Sequence, residues 1–193
     1  MLTNTLRHKI VSALQGELSS KRYAHVLRVE EKAITLAKQY GVDVAQCQLA
    51  ALLHDLTKEW TMEQYKEAVE KYQLDGAMLS YGSEILHGPV AACVCGEWFG
   101  VTDDVVCEAI AYHTIGKEDM SDVAKVLFVA DYIEDGRTFE GVDEARRLAN
   151  ENLDEAIAYK LQQTLAYLAN KGLRIYPDTV LAYNAWVNKI KER

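Results

Sequence analysis

The chain has 193 residues, 49% of them apolar, and carries 29 acidic against 21 basic residues for a net charge of −8. That length suffices for one compact domain with a sizeable core, while the acidic balance argues against nucleic-acid or anionic-membrane binding, since both need clustered Lys and Arg to displace counterions. No stretch reaches the apolar length of a membrane span, and the N-terminal MLTNTLRHKIVSALQGELSS has neither a long apolar core nor a small-residue cleavage site, so a cytoplasmic protein is expected.

Two prolines, few β-branched runs and abundant Ala, Leu, Glu and Lys predict an all-α chain. Ser19 or Ser20 caps a helix to about Tyr40, where Gly41 suits the left-handed stop. Asp43 caps the next helix, expected to run through Leu56. Thr61 begins a short surface helix to about Tyr72, and QLDGAMLSYGSE reads as an irregular connection. Pro89 suits a first helical turn, which places His87 at or just before a helix N-terminus. A helix after Thr102 and Asp103 ends near His113, and one after Ser121 carries DVAKVLFVADYIED. Two long helices, near 153–171 and 178–192, flank GLRIYPD. No repeat or linker justifies a domain cut, so residues 1–193 read as one domain, with a core over about 20–137 completed by helices over 143–193. Cys47, Cys93, Cys95 and Cys107 lie among apolar residues at spacings that fit neither a zinc knuckle nor a redox pair, and read as buried thiols. Trp98, Tyr183 and Trp186 read as core, and His8 as a surface or satisfied residue.

The polar residues within apolar runs carry the functional signal. AALLHDLTKEW sets His54 and Asp55 in a buried-looking helix, where an ionised Asp costs several kcal/mol unless it is paired or binds a cation. His25, His87 and His113 each stand in a further helical region, and Asp131 sits inside VLFVADYI. Two carboxylates and up to four imidazoles make a nitrogen and oxygen site suited to iron, manganese, zinc or another borderline metal. Lys58, one turn after Asp55, Thr114 beside His113, and Arg137 beyond Asp131 are the further polar and cationic groups close to these residues in sequence. Lys58 alone could equally be an i,i+3 ion pair with Asp55, and His87 and His113 could be helix-end residues. Arg22, three residues before His25, lies on the neighbouring helical face and alone reads nearly as well as a solvated Arg.

The order His25, His54-Asp55, Asp131 resembles the H...HD...D signature of the HD-domain metal-dependent phosphohydrolase superfamily. More narrowly, KRYAHVLRV, ALLHDLTK, LHGPVAA, AIAYHTIG and LFVADYIEDGRTFEGV, with GLRIYPDTVLAYN near the end, are similar to the bacterial HD-domain symmetrical bis(5'-nucleosyl)-tetraphosphatases. The resemblance implies an all-helical HD-domain bundle and one or two transition-metal ions, iron first with manganese or another divalent metal as alternatives. His25, His54, Asp55 and Asp131 would hold the metal, with His87 and His113 facing phosphate or completing a second metal site. Asp55, Lys58, His87 and His113 would then be catalytic. Arg22, Lys58, His87, His113, Thr114, Asp131, Arg137 and the loop Arg174, Ile175, Tyr176, Pro177, Asp178 and Thr179 would contact a small dinucleoside polyphosphate. A departure is Asp135, where the family pattern has proline, which adds a negative charge near Arg137.

The implied reaction is hydrolysis of diadenosine tetraphosphate to two ADP, in which a metal lowers the pKa of a water that attacks an inner phosphorus. Another HD nucleotide phosphohydrolase, or a metal-dependent nucleotide sensor without turnover, are the alternatives. HGPV does not reproduce the GYP signature of the cyclic-di-GMP phosphodiesterases. A homodimer through an apolar helical surface is a further expectation.

Overall fold

Side-chain caps set where most of the helices begin. A computed structural model describes residues 2–192. Thr3 caps α1 (Asn4–Glu17), Ser19 caps α2 (Ser20–Tyr40), Asp43 caps α3 (Val44–Leu53), and Thr61 forms a full capping box at α4 (Met62–Lys71). After a 3-10 helix (Gly76–Tyr81) come α5 (Ser83–Phe99), α6 (Asp104–Tyr112, capped by Asp103), α7 (Asp122–Ile133, capped by Ser121) and α8 (Val142–Glu151). Last come α9 (Leu153–Asn170, capped by Asn152) and α10 (Pro177–Lys191). Among the described residues there is no strand, and no helix is long and apolar enough to cross a membrane.

One hydrophobic cluster runs through the bundle, with Tyr65, Leu52, Leu53, Leu127, Phe128, Ile110 and Trp186 buried in it. α2 packs on α3 and α7, α6 on α3, α5 and α7, and α9 on α7, α8 and α10. This arrangement brings the ends of α3 and α6 and the bodies of α2, α5 and α7 to a common centre. Cys47 and Cys95 are buried, Cys93 and Cys107 half-buried, and all four are free thiols. Trp186 is a core residue as expected, whereas Trp98 and Tyr183 are half-buried at its edge.

Three expectations change. The helix expected through Leu56 ends at Leu53, and Leu56, Lys58 and Trp60 donate three residues back in successive turns. The His54 ring takes the Ala51 carbonyl, 2.6 Å away, that the amide of Asp55 would use in a continuing helix. QLDGAMLSYGSE is more ordered than read, since it holds the 3-10 helix and the start of α5.

The third change concerns Pro89, which does not open α5 but lies inside it, so His87 sits in the helix body rather than ahead of it. Gly88 is the reason: a residue before proline normally leaves the helical region because its Cβ meets the proline ring, and Gly88 has no Cβ. The same absence lets α5 approach α6 closely.

A Cβ on Gly88 would stand 2.8 Å from the Ala111 carbonyl oxygen and 2.9 Å from that of Ile110. Gly88→Ala is therefore expected to lower stability by about 1–3 kcal/mol in urea unfolding, because backbone atoms must move. Gly16→Ala, in α1 with nothing within 4 Å of the added carbon, is expected to raise stability by about 0.5–1 kcal/mol. Equal effects of the two changes would contradict this account of the α5–α6 contact.

Candidate metal centre and phosphate site

The site begins with two helix ends built alike. His54 follows the last residue of α3 and His113 the last of α6, and each folds its ring back onto a carbonyl of its own helix. His54 Nδ1 lies 2.6 Å from Ala51 O and His113 Nδ1 2.7 Å from Ile110 O. His87, in α5, places Nδ1 3.1 Å from Ser83 O, and His25, in α2, places Nδ1 3.1 Å from Glu134 Oε1. A carbonyl or carboxylate oxygen only accepts, so each Nδ1 carries the proton and each Nε2 presents a lone pair.

All four lone pairs converge on two carboxylates. Asp55 Oδ2 is 3.4 Å from His54 Nε2 and 3.6 Å from His25 Nε2, while Oδ1 is 3.4 Å from His87 Nε2 and 4.0 Å from His113 Nε2. Asp131 Oδ1 is 3.2 Å from His25 Nε2, and His87 Nε2 and His113 Nε2 are 2.9 Å apart. His25 Nε2 and His54 Nε2 are buried and have no hydrogen-bond partner.

The electrostatics fit a cation at this point. Burial opposes ionisation of Asp55, yet the facing imidazoles of His54, His87 and His113 hold its pKa well below the usual carboxylate range. Asp131 is likewise held low against burial by His25, Lys160 and Arg137. At His54 burial works against positive charge, but Asp55 and Asp131 raise the pKa nonetheless. Burial lowers His87 to about 4, with Lys58 adding to it, and burial with His87 and His54 pulls His113 well down, so both are neutral imidazoles at pH 7.

Among the described residues, two sets of potential ligands have donor atoms within 4.8 Å of one another: His25, His54 and Asp131, and His54, Asp55 and His113. Ligands about 2.1 Å from one ion lie about 3.0 Å apart at right angles and about 4.2 Å apart when opposed, which brackets most of the separations above. Nitrogen and oxygen donors without thiolate suit iron, manganese or zinc. The residues fit a metal.

Around the centre stand the cations. Arg22 Nη1 is 3.0 Å from Asp55 Oδ2, and Arg137 Nη2 is 2.8 Å from Asp131 Oδ1. Lys58 pairs with Glu84, 2.6 Å away, rather than with Asp55. Thr114 Oγ1 is 3.2 Å from His87 Nε2. Asp135 pairs with Lys32 at 2.7 Å, so its charge is met away from Arg137. Glu134, just before it, has ψ 155, the extended conformation that a following proline would also require.

Residues 174–179 lie apart from this cluster. Arg174 Nη1 donates to Ser80 O at 3.2 Å, and Tyr176 packs edge-on against Tyr81 with ring centres 5.1 Å apart. Tyr176 and Thr179 are buried, Ile175 is half-buried, and Pro177 and Asp178 are exposed. Tyr176 and Asp178 line a cavity of about 660 Å³ with Pro89, Tyr112 and Cys93. No hydrogen bond or ion pair joins this loop to the histidines and aspartates among the described residues.

Sequence reasoning missed three residues that aim the cluster. Glu134 is buried and accepts from His25, from Arg28 Nε and Nη2 and from the Gly136 amide, which bring its pKa down to about 2 despite burial. Arg28 lies one turn after His25, a spacing that suggests a shared face but not the partner. Lys160, buried in α9, donates to Phe128 O at 2.7 Å and His113 O at 3.1 Å and lies 3.6 Å from Asp131 Oδ2. Its signal is a lone charge in the apolar run AIAYKL.

Residues 22–136 match the family described as HD domain. The symmetrical bis(5'-nucleosyl)-tetraphosphatase of Staphylococcus aureus is 42% identical over 87% of this chain and 88% of its own length. That of Bacillus subtilis is 35% identical over 92% and 96%. The crystal structure of a Clostridium acetobutylicum protein, described as a predicted HD superfamily hydrolase involved in NAD metabolism, superposes with a TM-score of 0.91 at 32% identity, over 98% of this chain and 99% of that one.

Adding Mn²⁺ to chelator-treated protein is expected to raise its unfolding temperature, with stabilisation of about 2.7 kcal/mol once free metal reaches about 100 times Kd. Asp55→Ala is expected to abolish the shift, and His8→Ala, at an exposed position outside the cluster, to keep it. An undiminished shift in Asp55→Ala would place the ion elsewhere.

Proposed function

The chain belongs to the HD domain family, and we propose that it hydrolyses diadenosine tetraphosphate symmetrically to two ADP, using iron or, as alternatives, manganese or another divalent metal. The observation that carries the metal dependence is the set of four buried histidines whose Nε2 atoms converge on Asp55 and Asp131, nitrogen and oxygen donors at separations that ligands of one ion take. The two relatives' shared activity supports the substrate.

When bound, the metal lowers the pKa of a water and polarises phosphoryl oxygens, which is the chemistry a phosphoanhydride needs at neutral pH. His25, His54, Asp55 and Asp131 are the residues we assign to hold it. The two oxygens of Asp55 point to different histidine pairs, Oδ2 to His25 and His54 and Oδ1 to His87 and His113, so His87 and His113 are the residues that would hold a second ion. His87 and His113, both neutral, serve there as acceptors and not as proton donors.

Lys58, Arg22 and Arg137 are the cations we assign to the phosphates of a bound substrate; they stand at the centre paired with Glu84, Asp55 and Asp131. Thr114 adds a hydroxyl beside His87. The loop 174–179 and its cavity with Tyr112 and Pro89 take one adenosine in this reading. Attack at an inner phosphorus with ADP leaving then yields two identical products.

Metal-loaded protein incubated with diadenosine tetraphosphate is expected to give ADP as the sole nucleotide product by anion-exchange chromatography. ATP with AMP would contradict the cleavage position, and binding without any product would favour a sensor. Lys58→Met is expected to raise KM or lower kcat about tenfold or more, through loss of a charge-assisted phosphate contact.

A further inference from the structure

A symmetric substrate needs two nucleotide subsites, and the loop 174–179 accounts for one. A second cleft, of about 600 Å³, adjoins the metal centre: His25 forms part of its wall, with Lys21, Arg22, Arg28 and Arg137 around it and Phe139 beside them. It shares no lining residue with the Tyr176 cavity. Asp131, with a side chain 17% exposed against 3% for Asp55, is the more open of the two carboxylates, and its partner Arg137 stands in the wall of this cleft.

Four cations around one cleft stand out in a chain of net charge −8. The two carboxylates in its lining are already engaged, Glu134 by Arg28 and His25, and Glu59 by the Ser19 amide and hydroxyl at the start of α2. Lys21 is exposed and has no ion-pair partner among the described residues. The partners of Arg22 and Arg137 are Asp55 and Asp131, so a cation bound to those aspartates frees both guanidinium charges for an anion.

Phe139 supplies the apolar element. Phe128 is buried and Phe99 half-buried, but Phe139 is 37% exposed, with its ring centre 4.7 Å from that of Tyr132. Its loop is fastened at both ends. Arg146 donates to the carbonyls of Ile133, Glu134 and Arg137, and the Tyr159 hydroxyl donates to Gly141 O. The ring is thus held at the rim of a cationic cleft by its neighbours.

We propose that this cleft is the subsite for the second nucleoside diphosphate half of the substrate, with its phosphates among Arg22, Arg28, Arg137 and Lys21 and its base stacked on Phe139. The assignment rests on the reading of the chain as a dinucleoside tetraphosphatase. Stacking on an aromatic ring tolerates any base, so the subsite selects for a nucleoside diphosphate and not for adenine.

Calorimetric titration of the metal-loaded protein with ADP, together with steady-state kinetics on diadenosine tetraphosphate, tests it. Wild type is expected to bind two ADP per chain. Phe139→Ala is expected to weaken one of the two by about tenfold and to raise KM by a similar factor, with Phe139→Trp restoring both because the stacking face returns. A single ADP site in wild type, or two sites and a KM that Phe139→Ala leaves unchanged, overturns the subsite. Those outcomes are separable from failure of the parent reading, which is marked by wild-type protein that releases no ADP from diadenosine tetraphosphate.

Discussion

Asp55 is a charge that no single helix of this chain could bury. Its side chain is 3% exposed, and an isolated carboxylate at such a position costs several kcal/mol or more. Its neighbours come from three other helices and one turn: the cation Arg22 and His25 from α2, His87 from α5, His113 at the end of α6, and His54 from its own segment. The close approach of α5 to α6 over Gly88 is needed because His87 and His113 must both reach Oδ1. Packing around the centre and electrostatics within it are thus one constraint.

The imidazoles meet that constraint because their other nitrogens are already committed. Three bond to carbonyls of their own helices and one to the Glu134 carboxylate, so ring orientation and tautomer are set by the backbone at three of them and by Glu134 at His25. His54 and His113 use the same device, a histidine placed just past a helix end where orphan carbonyls are available. The price of the device is the early end of α3, which turns Thr57 inward. Its hydroxyl then donates to the His87 carbonyl and its own carbonyl accepts from Tyr65, which locks the segment carrying Lys58.

Local rules made the frame legible in the sequence. Ser19, Asp43, Thr61, Asp103 and Ser121 each cap the helix they precede, because capping is decided within three residues. Pro89 misled because the relief it needs is supplied by its neighbour Gly88, and a rule applied to proline alone does not weigh that. His25, His54, Asp55, His87, His113 and Asp131 were legible as a set through their types and order, and the structure brings them together. Arg28 and Glu134, 106 residues apart, were not legible, since nothing local in either residue points to the other. The arginines were legible as cations but not as partners of Asp55 and Asp131, a distinction that depends on tertiary contacts.

Lys160 shows why the site does not end where the matched HD region ends, at residue 136. It lies in α9, yet its ammonium group bonds the carbonyl of His113, the carbonyl of Phe128 and, less closely, the carboxylate of Asp131. It also sits 3.7 Å over the Phe128 ring. Burial lowers its pKa to about 8 although Asp131 raises it, so a charge is held there by specific acceptors against a desolvation cost. Those acceptors are the end of α6 and the face of α7 that carry His113 and Asp131. The C-terminal helices therefore bear on the centre through this buried cation, which ties the end of α6 to the face of α7, and through Arg146, which donates to the carbonyls of Ile133, Glu134 and Arg137.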